Sequence, residues 1–293
     1  MRSTRRACIL RAVRRCDALI VATLLISFAP GPAWSEWLRA GQDVMGTTIH
    51  VELWHEDSDT RTRAAAAVFE EMHRIDRLWS PHRNGSDINT LNRDAALQPT
   101  PVTAESITLI GHALDFGARS GGAFDISFAA VGHLYDYRNK IKPDAAAIAA
   151  HLPFVDYRQI LIDPAKRQIR FGKPGMKIDL GGIAKGYAVE RAAAILRSFR
   201  IGSAMVSAGG DMRILGDKRG RPWVVGIKLP RRAGEMAALL PLQDTALSTS
   251  GDYERFFLDA DGTRHHHILD PKTGRSADQC QSVSIIGADG TMT

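Results

Sequence analysis

The chain has 293 residues, 44% of them hydrophobic, and carries 38 basic against 32 acidic side chains, a net charge of +6. The excess belongs to its start: Arg2, Arg5, Arg6, Arg11, Arg14 and Arg15 all precede residue 36, and from that residue on 32 basic residues face 31 acidic ones. A body so nearly neutral gives no electrostatic ground for nucleic-acid binding, and with Cys280 as its sole cysteine it cannot close an internal disulfide.

The basic head is followed by an apolar run from Ala18 to Ala29 and then by Pro30-Gly31-Pro32. Twelve residues of helix reach only ~18 Å against a ~30 Å bilayer core, too short for a membrane anchor. Ala33-Trp34-Ser35 puts small residues where a signal peptidase reads. Residues 1–35 are therefore expected to be a signal peptide cleaved near Ser35, with the mature domain at 36–293 soluble in the periplasm. Thr4-Arg5-Arg6-Ala7-Cys8-Ile9 matches a twin-arginine signal in part, so Sec and Tat export both stay open.

Along the mature chain, Asp43 to Leu53 alternates and is rich in Thr, Ile and Val, which predicts a strand. Ser58 or Asp59 can cap a helix to about Trp79, with Val68, Met72, Ile75 and Trp79 on one face. Ser80 to Arg93 reads as a loop by composition. Thr103 caps a second helix ending at Gly121-Gly122, and Pro143 can occupy the first turn of a short Ala-rich one. Gln159–Ile162 and Gln168–Phe171 flank Asp163-Pro164 as a hairpin. Met176–Leu180 predicts a short strand and Ile183 to about Phe199 a helix. Strands are expected at 203–207, 223–229, 253–258, 266–269 and 282–286. The fold class is mixed α+β with antiparallel strands and flanking helices.

Asp179-Leu-Gly-Gly-Ile-Ala-Lys-Gly-Tyr187 places Gly181 and Gly182 before a helix start, where free N–H groups and the helix dipole favour an anion, and Lys185 adds a charge. Neither the Walker nor the Rossmann glycine spacing is present, which argues against an ATP or NAD site. Gly209-Gly-Asp211 is a second glycine turn. Ser120-Gly-Gly-Ala-Phe-Asp125 presents a ring and a carboxylate together. His265-His266-His267 invites a metal reading, but consecutive strand residues point to opposite faces and cannot converge on one ion. One inward histidine suited to general-base work is the simpler account.

The order of these segments carries more than any one of them. Met45-Gly-Thr47, Ser86-Asp-Ile-Asn-Thr-Leu-Asn92, Gly121-Gly-Ala-Phe-Asp125 and Asp179–Tyr187 come first. Gly209-Gly-Asp211, Pro222-Trp223, Thr249-Ser-Gly-Asp-Tyr253 and His267-Ile-Leu-Asp-Pro-Lys-Thr-Gly274 follow. The series resembles the ApbE family of FAD:protein FMN transferases over nearly the whole mature chain. The resemblance implies an ApbE-like fold that uses FAD as substrate with Mg²⁺. It also implies transfer of FMN to a Thr or Ser of an exported acceptor flavoprotein, with AMP leaving and membrane contact only through membrane-bound acceptors. By position, Met45, Ala123, Phe124, Asp125, Gly181, Lys185 and Tyr187 would line the FAD, with Ile268 beside the flavin. Ala184 would give a carbonyl to the metal, and His267 would be the catalytic histidine.

Two departures stand out. His82, in Ser80-Pro81-His82, occupies a flavin-contact position where the family usually has tyrosine. The family also continues past Ser282–Ile286 into a segment whose Asp and Thr ligate the metal, and Asp289 and Thr291 fall too early in the match to replace them. A C-terminally incomplete domain with weak or no activity is therefore expected. The alternatives are a non-catalytic periplasmic FAD-binding or maturation protein and an FAD pyrophosphatase. Among acceptor types, the leader leans towards the nitrous-oxide-reduction (NosX) branch.

Overall fold

A computed structural model of the chain describes residues 37–293, so the expected signal peptide lies outside the described residues. Strands β1 (Leu38–Val44) and β2 (Thr47–Trp54) open as an antiparallel hairpin with Val44 opposite Thr47. The single strand expected over Asp43–Leu53 is thus two. Met45 and Gly46 both take positive φ (56° and 69°), the geometry of a tight two-residue hairpin turn. Helix α1 (Ser58–Trp79) follows, capped one residue earlier than expected by Asp57, whose carboxylate accepts the Thr60 N–H at 2.8 Å.

The loop expected over Ser80–Arg93 contains helix α2 (Asp87–Asp94) instead. Ser86 caps it, accepting the Asn89 N–H at 3.0 Å, and Ile88 and Leu91 are buried. Two apolar residues in eight are too few for a periodic signal, so Pro81 and Gly85 dominate the composition. After β3 (Thr100–Pro101), α3 (Ala104–Arg119) is capped by Thr103 as expected and ends at Gly121 and Gly122, with φ of 59° and 81°. Helices α4 (Ala129–Gly132) and α5 (Ala145–His151) follow. Asp144 caps α5, so Pro143 lies just outside its first turn. The expected hairpin is β4 (Ile160–Asp163) with β5 (Gln168–Phe171), and β3 joins it as a third strand.

Met176–Leu180, expected as a strand, forms no regular secondary structure and belongs to no sheet. The Asn92 side chain takes the partner strand's place, accepting from Ile178 N–H at 2.7 Å and donating to the Ile178 carbonyl at 2.9 Å. Helix α6 (Ala184–Ser198) then leads into the main sheet. Its strands are β6 (Ser203–Ala208), β7 (Asp211–Leu215), β10 (Ala246–Gly251) and β15 (Ser282–Gly287), together with β1 and β2. Between them in sequence come β8 (Trp223–Lys228), β9 (Met236–Leu242), β11 (Phe256–Leu258), β12 (Arg264–His266), β13 (Leu269–Asp270) and β14 (Arg275–Ser276), which form small antiparallel pairs.

The main sheet runs β1-β2-β6-β7-β10-β15, antiparallel throughout. Alternation decides its buried face: Ile49, Val51 and Leu53 of β2 and Ala204, Val206 and Ala208 of β6 pack with α1 and α6. From the helices come Val68, Met72 and Ile75, and Ala188, Ala192 and Leu196. The small residues of α6 allow it to lie close to the sheet. The architecture is α+β, as expected. Strands β7, β9 and β10 were not anticipated. In β7 a buried Arg213, bonded to Glu190 at 2.9 Å, interrupts the apolar pattern. The strand β9 holds a proline and is mostly exposed, and β10 reads as a polar turn. Among the described residues no helix is long and apolar enough to cross a membrane.

Candidate active site

Two glycine turns meet at Lys185. The chain reverses at Gly181-Gly182, and the Leu180 carbonyl accepts both Ile183 N–H at 2.9 Å and Ala184 N–H at 2.7 Å. Asp179 folds back onto the Gly181 N–H at 2.5 Å. Among the described residues the N–H groups of Gly182 and Lys185 have no backbone acceptor, which leaves donors at the positive end of the α6 dipole. A side chain at Gly182 would press on the Phe124 ring at 3.0 Å, so the ring lies directly against this turn.

Lys185, in the first turn of α6, donates to the Gly181 carbonyl at 2.7 Å and lies 3.5 Å from Asp211 Oδ2. Ser248 Oγ donates to the other Asp211 oxygen at 2.6 Å, which fixes the carboxylate. Gly209 takes φ +64°, and a side chain there would meet Thr47 Oγ1 at 3.1 Å and Lys185 Cε at 3.8 Å. A side chain at Gly210 would overlap the Thr249 carbonyl oxygen. Gly209 is therefore required by its left-handed backbone and Gly210 by close approach.

The three histidines go to three places. His265 Nε2 meets Asp259 at 2.9 Å. His266 is the inward one, 3% exposed, with Nε2 donating to the Ala277 carbonyl at 2.7 Å. His267 falls just beyond β12 and not on a strand, which corrects the expected strand over 266–269. Its N–H donates to the Arg255 carbonyl at 3.2 Å, and its Nδ1 is buried without a partner among the described residues. Burial above all, then the positive charges of Arg255 and Lys185, hold its pKa down at about 4. The imidazole is thus neutral at neutral pH and able to accept a proton. Among the described residues no group of His, Cys, Asp and Glu gathers to hold a metal.

The remaining candidates divide. Met45 stands in the β1–β2 turn beside Gly46, whose carbonyl accepts from Arg255 Nη2 at 2.6 Å. Ala123 is exposed beside Phe124, and Ile268 is half-buried next to His267. Ala184 is buried at the start of α6. His82 is exposed in the turn after α1 and makes no hydrogen bond among the described residues. Asp125 is committed to the fold: it is 7% exposed and accepts from Ser127 N–H and Oγ at 2.8 and 2.6 Å and from Tyr157 N–H at 3.0 Å. Burial nevertheless pushes its pKa up. Tyr187 donates to Glu105 at 2.7 Å and stands edge-on to Trp79, and burial with the Glu105 charge raises its pKa to about 12. Asp289 caps its own turn, accepting from Thr291 N–H at 2.8 Å. Arg255 was missed. No spacing rule marks it, because its place beside His267 follows from the β11–β12 pairing.

The family model described as the ApbE family matches residues 45–293. The FAD:protein FMN transferase of Treponema pallidum is 33% identical over 275 residues, covering 87% of this chain and 75% of its own. A second FAD:protein FMN transferase, from Klebsiella pneumoniae, is 31% identical over 250 residues, with 84% and 76% covered. Among solved structures, the ApbE protein of Thermotoga maritima matches with a TM-score of 0.80 at 36% identity, covering 88% of this chain and 84% of that one. The flavin transferase ApbE from Vibrio cholerae matches with a TM-score of 0.77 at 25% identity over the same shares.

Proposed function

The chain belongs to the ApbE family, and on that premise we propose that it splits FAD and transfers the FMN half to a Thr or Ser hydroxyl of an acceptor flavoprotein. The observation that carries this reading is the neutral His267 set beside Lys185 and Arg255. A hydroxyl attacking phosphorus has to lose a proton, and the phosphates have to be held by positive charge and free N–H groups. In the reaction the acceptor oxygen forms a new ester bond to the FMN phosphorus. The anhydride P–O bond breaks, its electron pair leaves with AMP, and the hydroxyl proton passes to the His267 imidazole.

The anhydride carries its own activation, so in-line positioning and charge supply the catalysis. Lys185 and the N–H groups of Gly182 and Lys185 would face the diphosphate, and Phe124 would face the flavin ring. Mg²⁺ belongs to the same proposal, with the Ala184 carbonyl as its protein contact. The described residues do not converge into a cage for it, so phosphate oxygens and water would fill the remaining positions, as is usual for this ion. When bound it would neutralise phosphate charge. The basic head, apolar run and small residues before position 36 support placing the mature chain in the periplasm, by Sec or Tat export, facing exported or membrane-bound acceptors.

The test is co-expression with an exported flavoprotein acceptor and intact-mass analysis. An FMN-sized increase that requires FAD and disappears with His267→Ala is the expected result. FAD binding without AMP release would replace the reading by a non-catalytic flavin-binding one, and AMP release without an acceptor by a pyrophosphatase. Dependence on Mg²⁺ is read by titration after chelation, and N-terminal sequencing of the secreted protein locates the cleavage site.

A further inference from the structure

Arg255 is exposed and makes no ion pair among the described residues, and it adjoins His267. It is a cross-strand neighbour of His267, whose N–H its own carbonyl accepts at 3.2 Å. Its side chain crosses to the β1–β2 turn, where one nitrogen, Nη2, donates to the Gly46 carbonyl at 2.6 Å. The other guanidinium N–H groups have no partner among the described residues. The Gly46 turn leads directly to Thr47, and a Cβ placed on Gly209 would meet both Thr47 Oγ1, at 3.1 Å, and Lys185 Cε, at 3.8 Å. Arg255 and Lys185 are two cations whose charges both act on His267. They differ in one respect: Lys185 has Asp211 at 3.5 Å, whereas Arg255 has no carboxylate to balance it among the described residues.

An exposed guanidinium with one N–H anchored and a fork of donors left over is matched to a phosphate, which it can engage through two parallel hydrogen bonds. Resting on the transferase reading above, we propose that Arg255 is a catalytic residue that binds the FMN-side phosphate of FAD through these free donors. Its position beside the histidine places it at the phosphorus under attack, where negative charge grows on the non-bridging oxygens as the acceptor oxygen adds. The Gly46 contact fixes the guanidinium before substrate arrives, so little ordering is left for the reaction itself.

The test compares riboflavin, FMN and FAD binding, by quenching of flavin fluorescence, in the wild-type chain and in Arg255→Gln and Arg255→Lys. The three ligands share the ring and differ in phosphate. Arg255→Gln is expected to weaken FMN and FAD by roughly tenfold or more, the scale of a lost charge-assisted hydrogen bond, while riboflavin binding is unchanged. Arg255→Lys should restore part of the loss, because it keeps the charge and loses the fork. Equal weakening of all three ligands would mean that Arg255 only supports the Gly46 turn, and unchanged FMN and FAD binding would mean that it does not touch phosphate; either result overturns the proposal. Binding is read without turnover, so a wild-type chain that holds FAD but transfers nothing would refute the transferase reading and leave this comparison intact.

Discussion

The His267 imidazole is desolvated and faces two positive charges, so its proton affinity depends on what else is bound. In the free protein its pKa is about 4, with burial as the first cause and Arg255 and Lys185 behind it. The acid limb of kcat/KM, which reports the free enzyme, should therefore lie near 4 and well below the ordinary histidine value. A bound diphosphate offsets both cations, so the acid limb of kcat, which reports the complex, should lie higher. Coincident limbs at an ordinary histidine pKa would contradict this. Two carboxylates make a different point. Asp125 and Asp211 both follow glycine turns in sequence, but Asp125 spends its oxygens on Ser127 and Tyr157, and Asp211 spends its own on Ser248 and Lys185. The second is thereby tied to Lys185. Tyr187→Phe, which removes the hydroxyl donated to Glu105, should lower unfolding stability by about 1 kcal/mol in urea titration.

Among the elements, the decisive ones are those with the weakest local signals. The stretch before Gly181 is held by a side chain: Asn92 of α2 bonds both the N–H and the carbonyl of Ile178. Asn92→Ala leaves both groups without that partner and should cost roughly 2–4 kcal/mol. Because the glycine turn begins two residues after Asp179, FAD affinity should fall with it, measured by fluorescence quenching against the urea midpoint. The other glycine turn is tied to β10 by Thr249 N–H donating to the Gly210 carbonyl at 2.9 Å. Gly210→Ala forces a methyl group onto the Thr249 carbonyl and should separate β7 from β10. A purified Gly210→Ala protein with an unaltered melting temperature would refute this packing account.

At the scale of the whole molecule, the helices on one face of the sheet and the turns at its edge are one construction. Helix α6 packs its small residues against β6 and β7 and brings Lys185 to the edge turns as a consequence. The site's chemistry therefore feeds back on stability. A histidine whose folded pKa is depressed binds fewer protons folded than unfolded, so stability is fully present above the unfolded value near 6.5. It is lost as pH falls towards the folded value of about 4. Urea midpoints measured at pH 7 and pH 5 should fall more in the wild type than in His267→Gln. An equal fall in the two would assign the loss to other groups.

What the sequence determined by itself was local or ordered along the chain: the α+β class, the apolar stripe of α1, Thr103 at the start of α3, the β4–β5 hairpin and the succession of glycine motifs. Each is written within a few residues, where capping, turn chemistry and periodicity act. Tertiary structure alone decided the rest. The polar Thr249–Gly251 stretch became strand through its neighbours β7 and β15, and Asn92 found its partner 86 residues away. The donor from Arg255 to Gly46 spans 209 residues. Contacts of that separation leave no period in the sequence. They exist only because antiparallel pairing sets one turn against another, and that pairing makes an unremarkable arginine the neighbour of the site's histidine.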